Sequence, residues 1–193
     1  MHVALVIGHT GKPDRPTDRG AAYTHPSGVR LSEVSLVRRY ADALDVALLA
    51  AGHRCVTYED GTYDERARRA KISGASCLLA LHANAGLAGR PGQRGELFYW
   101  PGSVKGQALA EAIAETLGHV VPYTVRVIPA EVGPYLDASR VAAVRSTIDG
   151  AVSPSVCVEP FFVDGEGADE LVSDDYLTAI GKALAAGVIA WRG

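Results

Sequence analysis

The segment Cys77-Leu78-Leu79-Ala80-Leu81-His82-Ala83-Asn84 is an unbroken apolar run that stops at a histidine. An apolar run this short, with Gly74 behind it and Gly86 ahead, reads as a strand. A strand that ends in His and then Ala-Asn is poorly explained by packing alone. Position 82 is therefore both a strand end and a candidate for chemistry.

The same pattern extends in both directions. Apolar or β-branched runs of strand length occur at 3–7, 55–58, 77–81, 97–100, 125–128 and 156–162. Segments with helical spacing lie between them, at 32–51, 64–72, 104–117, 138–148 and 174–191. In the first of these, Ser32 can cap the helix, Val37, Tyr40, Leu44 and Leu48 recur at helical intervals, and Gly52 stops it. In the last, Leu177, Ile180, Leu184 and Val188 share a face.

Strands alternating with helices predict an α/β fold. The expectation is a single three-layer domain over 1–193, a twisted, mostly parallel sheet of about six strands flanked by about five helices. The 193 residues suit one core, and there is no internal repeat, low-complexity tract or linker. Pro and Gly gather in loops at 10–28, 86–95 and 129–134, and the first is long enough to suggest a functional role. Such sheets bind ligands beyond the carboxyl ends of their strands. Gly8-His9, His82-Ala83-Asn84 and Glu159-Pro160 are thus predicted to meet at one edge.

A net charge of −3 argues against a nucleic-acid partner, which calls for a basic excess. Cys55, Cys77 and Cys157 are odd in number, form no CxxC pair and lie in apolar runs, so they read as buried free thiols made in a reducing compartment. No stretch approaches the ~20 apolar residues of a membrane span. The N-terminus reads as a strand rather than a signal peptide, which predicts synthesis in the cytoplasm.

Zinc is held by His nitrogen, Cys sulfur or carboxylate oxygen, and catalytic sites combine three protein ligands with an open position. His9 and His82 each close an apolar strand and are rigidly mounted for such a role. Glu33, at the start of the first helix, is a candidate third ligand; the alternative is simple stabilisation of the helix end. Glu159 is one carboxylate inside Ser155-Val156-Cys157-Val158-Glu159-Pro160-Phe161-Phe162. Burying it is costly unless it is paired or functional. It reads as a general base, since burial raises a carboxyl pKa towards the useful range, or as half of a buried ion pair with Arg145 or Arg66. His25 reads as a surface-loop residue. Asn84 is assigned a structural hydrogen-bonding role, and Tyr99 and Trp100 suit either sugar stacking or the core.

Taken in order, these residues resemble the zinc-dependent N-acetylmuramoyl-L-alanine amidases with a His-Glu-His metal site, and the likeness covers nearly the whole chain. Val6-Ile7-Gly8-His9-Thr10-Gly11 resembles the family's opening Gly-His-Gly-Gly turn, with Thr10 in place of a Gly. Leu31-Ser32-Glu33-Val34-Ser35-Leu36 is similar to its metal-binding Glu at a helix start, and Tyr63-Asp64-Glu65-Arg66 to its Leu-x-x-Arg helix. Leu79-Ala80-Leu81-His82-Ala83-Asn84-Ala85 resembles the Ser-Ile-His-Ala-Asn-Ala box, and Val156-Cys157-Val158-Glu159-Pro160-Phe161-Phe162 the Leu-Val-Glu-x-Gly-Phe strand.

The resemblance implies a cell-wall hydrolase that cleaves the amide between N-acetylmuramic acid and L-alanine in peptidoglycan. It implies one Zn2+ per chain on His9, Glu33 and His82, with Glu159 as general base and Arg145 as an electrostatic helper or a partner of Glu159. The expected protein is a monomer without a separate cell-wall-binding domain. It would act on the wall as a bacterial autolysin or as a phage lysin released through a membrane pore. The alternatives are a zinc peptidase cutting within the stem peptide and a wall-binding module without activity.

Overall fold

Strand β1 (His2–Ile7) is buried along its whole length because it has parallel neighbours on both sides, β4 (Arg54–Tyr58) and β5 (Cys77–Leu81). The structure is a computed structural model that describes residues 1–10, 17–24, 27–89, 91–130 and 154–191. Beyond β5 lie β8 (Ser155–Glu159), β6 (Gly95–Tyr99) and β7 (Val125–Pro129), giving the order β4-β1-β5-β8-β6-β7. β8 is parallel to β5, whereas β6 runs antiparallel to β8 and parallel to β7. The sheet is thus mostly parallel, with its last two strands reversed.

The six expected strands are present, five of them within two residues of their expected bounds. β8 ends at Glu159 rather than at 162, because Pro160 has no N–H to continue the ladder. The chain then bends, and Phe162 pairs with Asn84 beyond the end of β5.

Helices α1 (Glu33–Ala50), α2 (Tyr63–Ile72), α3 (Val104–Gly118) and α5 (Asp174–Ala190) match four of the five expected. The helix expected at 138–148 lies outside the described residues. Two elements have no counterpart in the sequence reading: the one-turn helix α4 (Ala168–Leu171) and a hairpin of β2 (Ala22–Thr24) with β3 (Arg30–Ser32). Both are too short to carry a hydrophobic period.

Side chains alternate across a strand, so each strand serves two faces. On one face Leu5, Leu79, Leu97 and Val158 pack with Leu44 of α1, Ile113 of α3 and Leu184 of α5. On the other, the smaller Ala4, Val6, Ala80 and Cys157 pack with Ala67 and Ala70 of α2. These form the three layers. Each Leu buried in the thick layer contributes about 2 kcal/mol of transfer free energy. The three cysteines are free; Cys77 and Cys157 are buried and Cys55 is half-buried. Among the described residues no helix is long and apolar enough to cross a membrane.

Candidate metal centre

The ladder of the sheet continues past its strand ends, and that brings the candidate residues together. Ile7 is in register with Leu81, and Leu81 with Val158. Gly8 N–H donates to Leu81 O at 2.8 Å and His82 N–H to Val158 O at 2.9 Å. One residue further on, Gly8, His82 and Glu159 therefore share a transverse row, and Glu96 of β6 joins it opposite Glu159. By alternation this row lies on the α2 face. Gly8 is required there: a Cβ on it would come within 2.4 Å of His82 Cε1, so the imidazole lies across the bare backbone.

His9 follows in a strained turn, with φ of 54°. A non-glycine residue in the left-handed region costs about 1–2 kcal/mol, so the turn must be held by its surroundings. Arg66 of α2, only 1% exposed, donates to Ile7 O at 2.6 Å and also to Thr10 O. Thr10 Oγ1 donates to Ile7 O at 2.9 Å, which gives the hydroxyl at this position a local use. The His9 ring is set by Asp18, whose two carboxylate oxygens each lie 3.1 Å from Nδ1. That leaves Nε2 directed at Glu33 Oε2, 3.5 Å away.

Glu33 is the first residue of α1. Ser32 caps the helix and exchanges hydrogen bonds with Ser35, which fixes the first turn. Its Oε1 faces His82 Nδ1 at 3.0 Å and accepts the Ala83 N–H at 3.1 Å; its Oε2 accepts the Ala21 N–H at 3.0 Å. Burial alone would raise this carboxyl, but the hydrogen bond with His82, the fields of His82 and His9, and the Ala21 N–H outweigh it. The group sits below its ordinary value.

His9, Glu33 and His82 each offer one ligand atom, and the three atoms lie within 4.8 Å of one another. The two rings are T-shaped, with centroids 5.3 Å apart. Ligands each about 2 Å from a shared zinc ion stand roughly 3.3 Å apart in a tetrahedron, close to the separations here. Two imidazoles and one carboxylate, gathered at a position that a Cβ on Gly8 would obstruct, fit a divalent cation in both chemistry and spacing.

The surroundings explain why the cluster is rigid. Tyr40 donates to His82 O at 2.7 Å from inside the core. The Tyr63 hydroxyl lies 3.2 Å from His82 Nε2, and burial raises its phenol above the ordinary range. Glu159 is 2% exposed beside His82. Its neighbour Glu96 accepts from Asn84 Nδ2 at 2.8 Å and from Arg94 Nε at 2.6 Å, while Arg94 stacks over Phe162 at 4.4 Å. Asn84 also receives the Ala85 N–H, consistent with a structural role.

Arg145 and His25 lie outside the described residues. Arg66, one of two partners considered for Glu159, instead uses its guanidinium on the turn around His9. Tyr99 ends the reversed β6 and Trp100 follows it. Tyr99 sits opposite Val156, near the far edge of the sheet, and both rings pack against the core. Asp18, Tyr40, Tyr63 and Glu96 were not among the site residues expected from the sequence. Only Asp18 carried a hint, through its place in the long loop at 10–28.

The sequence profile of the N-acetylmuramoyl-L-alanine amidases matches residues 3–190. No match was found among curated protein sequences. Among solved structures the chain is similar to the N-acetylmuramoyl-L-alanine amidase AmiC2 of Nostoc punctiforme, with a TM-score of 0.77 and 21% identity over 98% of this chain and 95% of that one. It is also similar to the catalytic domain of the CD27L endolysin targeting Clostridia difficile, with a TM-score of 0.72 and 20% identity over 98% and 97%. A third likeness is to the amidase Ami1 of Mycobacterium smegmatis, with a TM-score of 0.74 and 18% identity over 99% and 96%. At these identities the three structures bear on the fold.

Proposed function

The chain belongs to the N-acetylmuramoyl-L-alanine amidase family, and from that premise we propose that His9, Glu33 and His82 hold one zinc ion beside which Glu159 works as general base. The bond cut is the amide between N-acetylmuramic acid and L-alanine in peptidoglycan. The observation that carries this reading is the convergence of His9, His82 and the Glu33 carboxylate within 4.8 Å, one strand position from Glu159.

A zinc ion in this site supplies a Lewis acid that lowers the pKa of water to about 7 and polarises a carbonyl. The chain's own residues do the rest. Glu33 brings the negative charge that a dication needs, already ionised by its two histidine neighbours. Asp18 fixes the orientation of His9, as a carboxylate behind a metal-binding imidazole does. Glu159 takes a proton from the attacking water and passes it to the amine as the C–N bond breaks, leaving a carboxylic acid and a free amine. Its rigid mounting on β8 suits that transfer. The protein works on the cell wall as a single subunit.

Metal analysis and digestion of purified wall fragments test the reading together. One zinc per chain with new lactyl carboxyl ends supports it. New peptide termini within the stem indicate a peptidase, and binding without release indicates a wall-binding module.

A further inference from the structure

The two ring nitrogens of His82 have different partners. Nδ1 faces Glu33 Oε1 at 3.0 Å and Nε2 faces the Tyr63 hydroxyl at 3.2 Å. The same phenol oxygen lies 3.5 Å from the backbone N–H of His9. One side chain thus reaches both histidines from the side opposite Glu33. Tyr63 is held there firmly. It is the first residue of α2, whose Thr62 and Glu65 form a reciprocal cap, and Arg66 lies 5.5 Å from its ring centroid. Arg66 in turn grips the turn that carries His9.

We propose that Tyr63 is a positioning residue that commits His82 to the metal through Nδ1, by serving as the hydrogen-bond partner of Nε2 in both the empty and the loaded site. The inference rests on reading His9, Glu33 and His82 as a metal centre.

A hydroxyl both donates and accepts, and that property matters here. In the empty site the Glu33 carboxylate is best matched by a proton on Nδ1, and the phenol then donates to Nε2. When Nδ1 gives its lone pair to an ion, the ring proton resides on Nε2 and donates to the phenol oxygen. Between the two arrangements the tautomer and the hydroxyl rotor change. A carboxylate at position 63 could accept but not donate, and an aliphatic side chain could do neither. The hydrogen bond at the outer nitrogen sets which nitrogen is metallated.

Tyr63→Phe keeps the ring and its packing on Arg66 and removes only the hydroxyl. Zinc affinity, read by competition with a chromophoric chelator, is expected to weaken about tenfold or more. Melting curves of the two apo proteins in excess chelator should differ by no more than the loss of one hydrogen bond, which shows that the variant folds. Nitrogen NMR of the zinc-loaded wild-type protein should show His82 metallated at Nδ1 with a slowly exchanging proton on Nε2, a readout that requires no variant. Unchanged zinc affinity in Tyr63→Phe, or metal on Nε2 in the wild type, overturns the proposal and leaves the metal centre standing. If the wild type binds no zinc, or His82→Ala binds it equally well, the metal centre itself fails.

Discussion

Leu81 and His82 are adjacent in sequence, as are Val158 and Glu159, yet each pair straddles the sheet. Leu81 and Val158 face the thick layer of α1, α3 and α5, where large aliphatic side chains interlock. His82 and Glu159 face the thin layer, where alanines and a buried arginine replace them, and Glu33 reaches His82 from the start of α1. One face provides cohesion and the other positions polar groups. The same backbone carries both because alternation separates stability from chemistry by a single residue.

If that division is real, substitutions one position apart should fail in different ways. The largest effect is expected for His82→Ala, which should lose bound zinc and wall digestion together while remaining folded; zinc retained at one per chain would break the comparison. Glu159→Gln should keep zinc and lower turnover by about 10²–10⁴-fold. A near wild-type rate of lactyl-end release would remove Glu159 from the mechanism. On the thick face the loss should be in stability. Leu79→Ala should cost about 2–5 kcal/mol in denaturant unfolding, with unchanged activity per folded molecule.

A smaller effect sharpens the boundary at the rim. Asp164 accepts the N–H groups of Gly86, Leu87 and Ala88 beside the His-Ala-Asn segment. Partial burial raises its carboxyl, but those N–H groups outweigh this and hold it below its ordinary value. A carboxyl depressed in the folded state adds stability above its unfolded pKa and loses it as pH falls through the folded one. Asp164→Asn should therefore destabilise by less than about 1 kcal/mol at neutral pH, given solvent screening. The difference from wild type should vanish in acid, and unfolding midpoints measured from pH 7 down to about pH 2 would show it.

The strands, the main helices and the four positions proposed for chemistry were legible because each leaves a local trace. Apolar runs that end abruptly in His or Glu mark strand ends, and Ser32 ahead of Glu33 marks a helix start. The reversal of β6 left no such trace. The loop at 86–95 that leads into it was visible, but direction is set by packing, and alternation with helices favoured a parallel reading. Tyr63 was legible only as a position in a Leu-x-x-Arg pattern. Its contact with His82 depends on how α2 lies across β1, which is a tertiary fact. Glu96 lay just outside the apolar run at 97–100 and drew no reading until the register placed it opposite Glu159.

The protonated sulfurs have a practical consequence for every metal titration proposed above. Burial pushes the Cys77 thiol up to about 12, and Cys55 is raised further by burial and by Asp45. A thiol competes for zinc only after it loses its proton. At neutral pH these two are therefore weak competitors for zinc beside the His-Glu-His cluster.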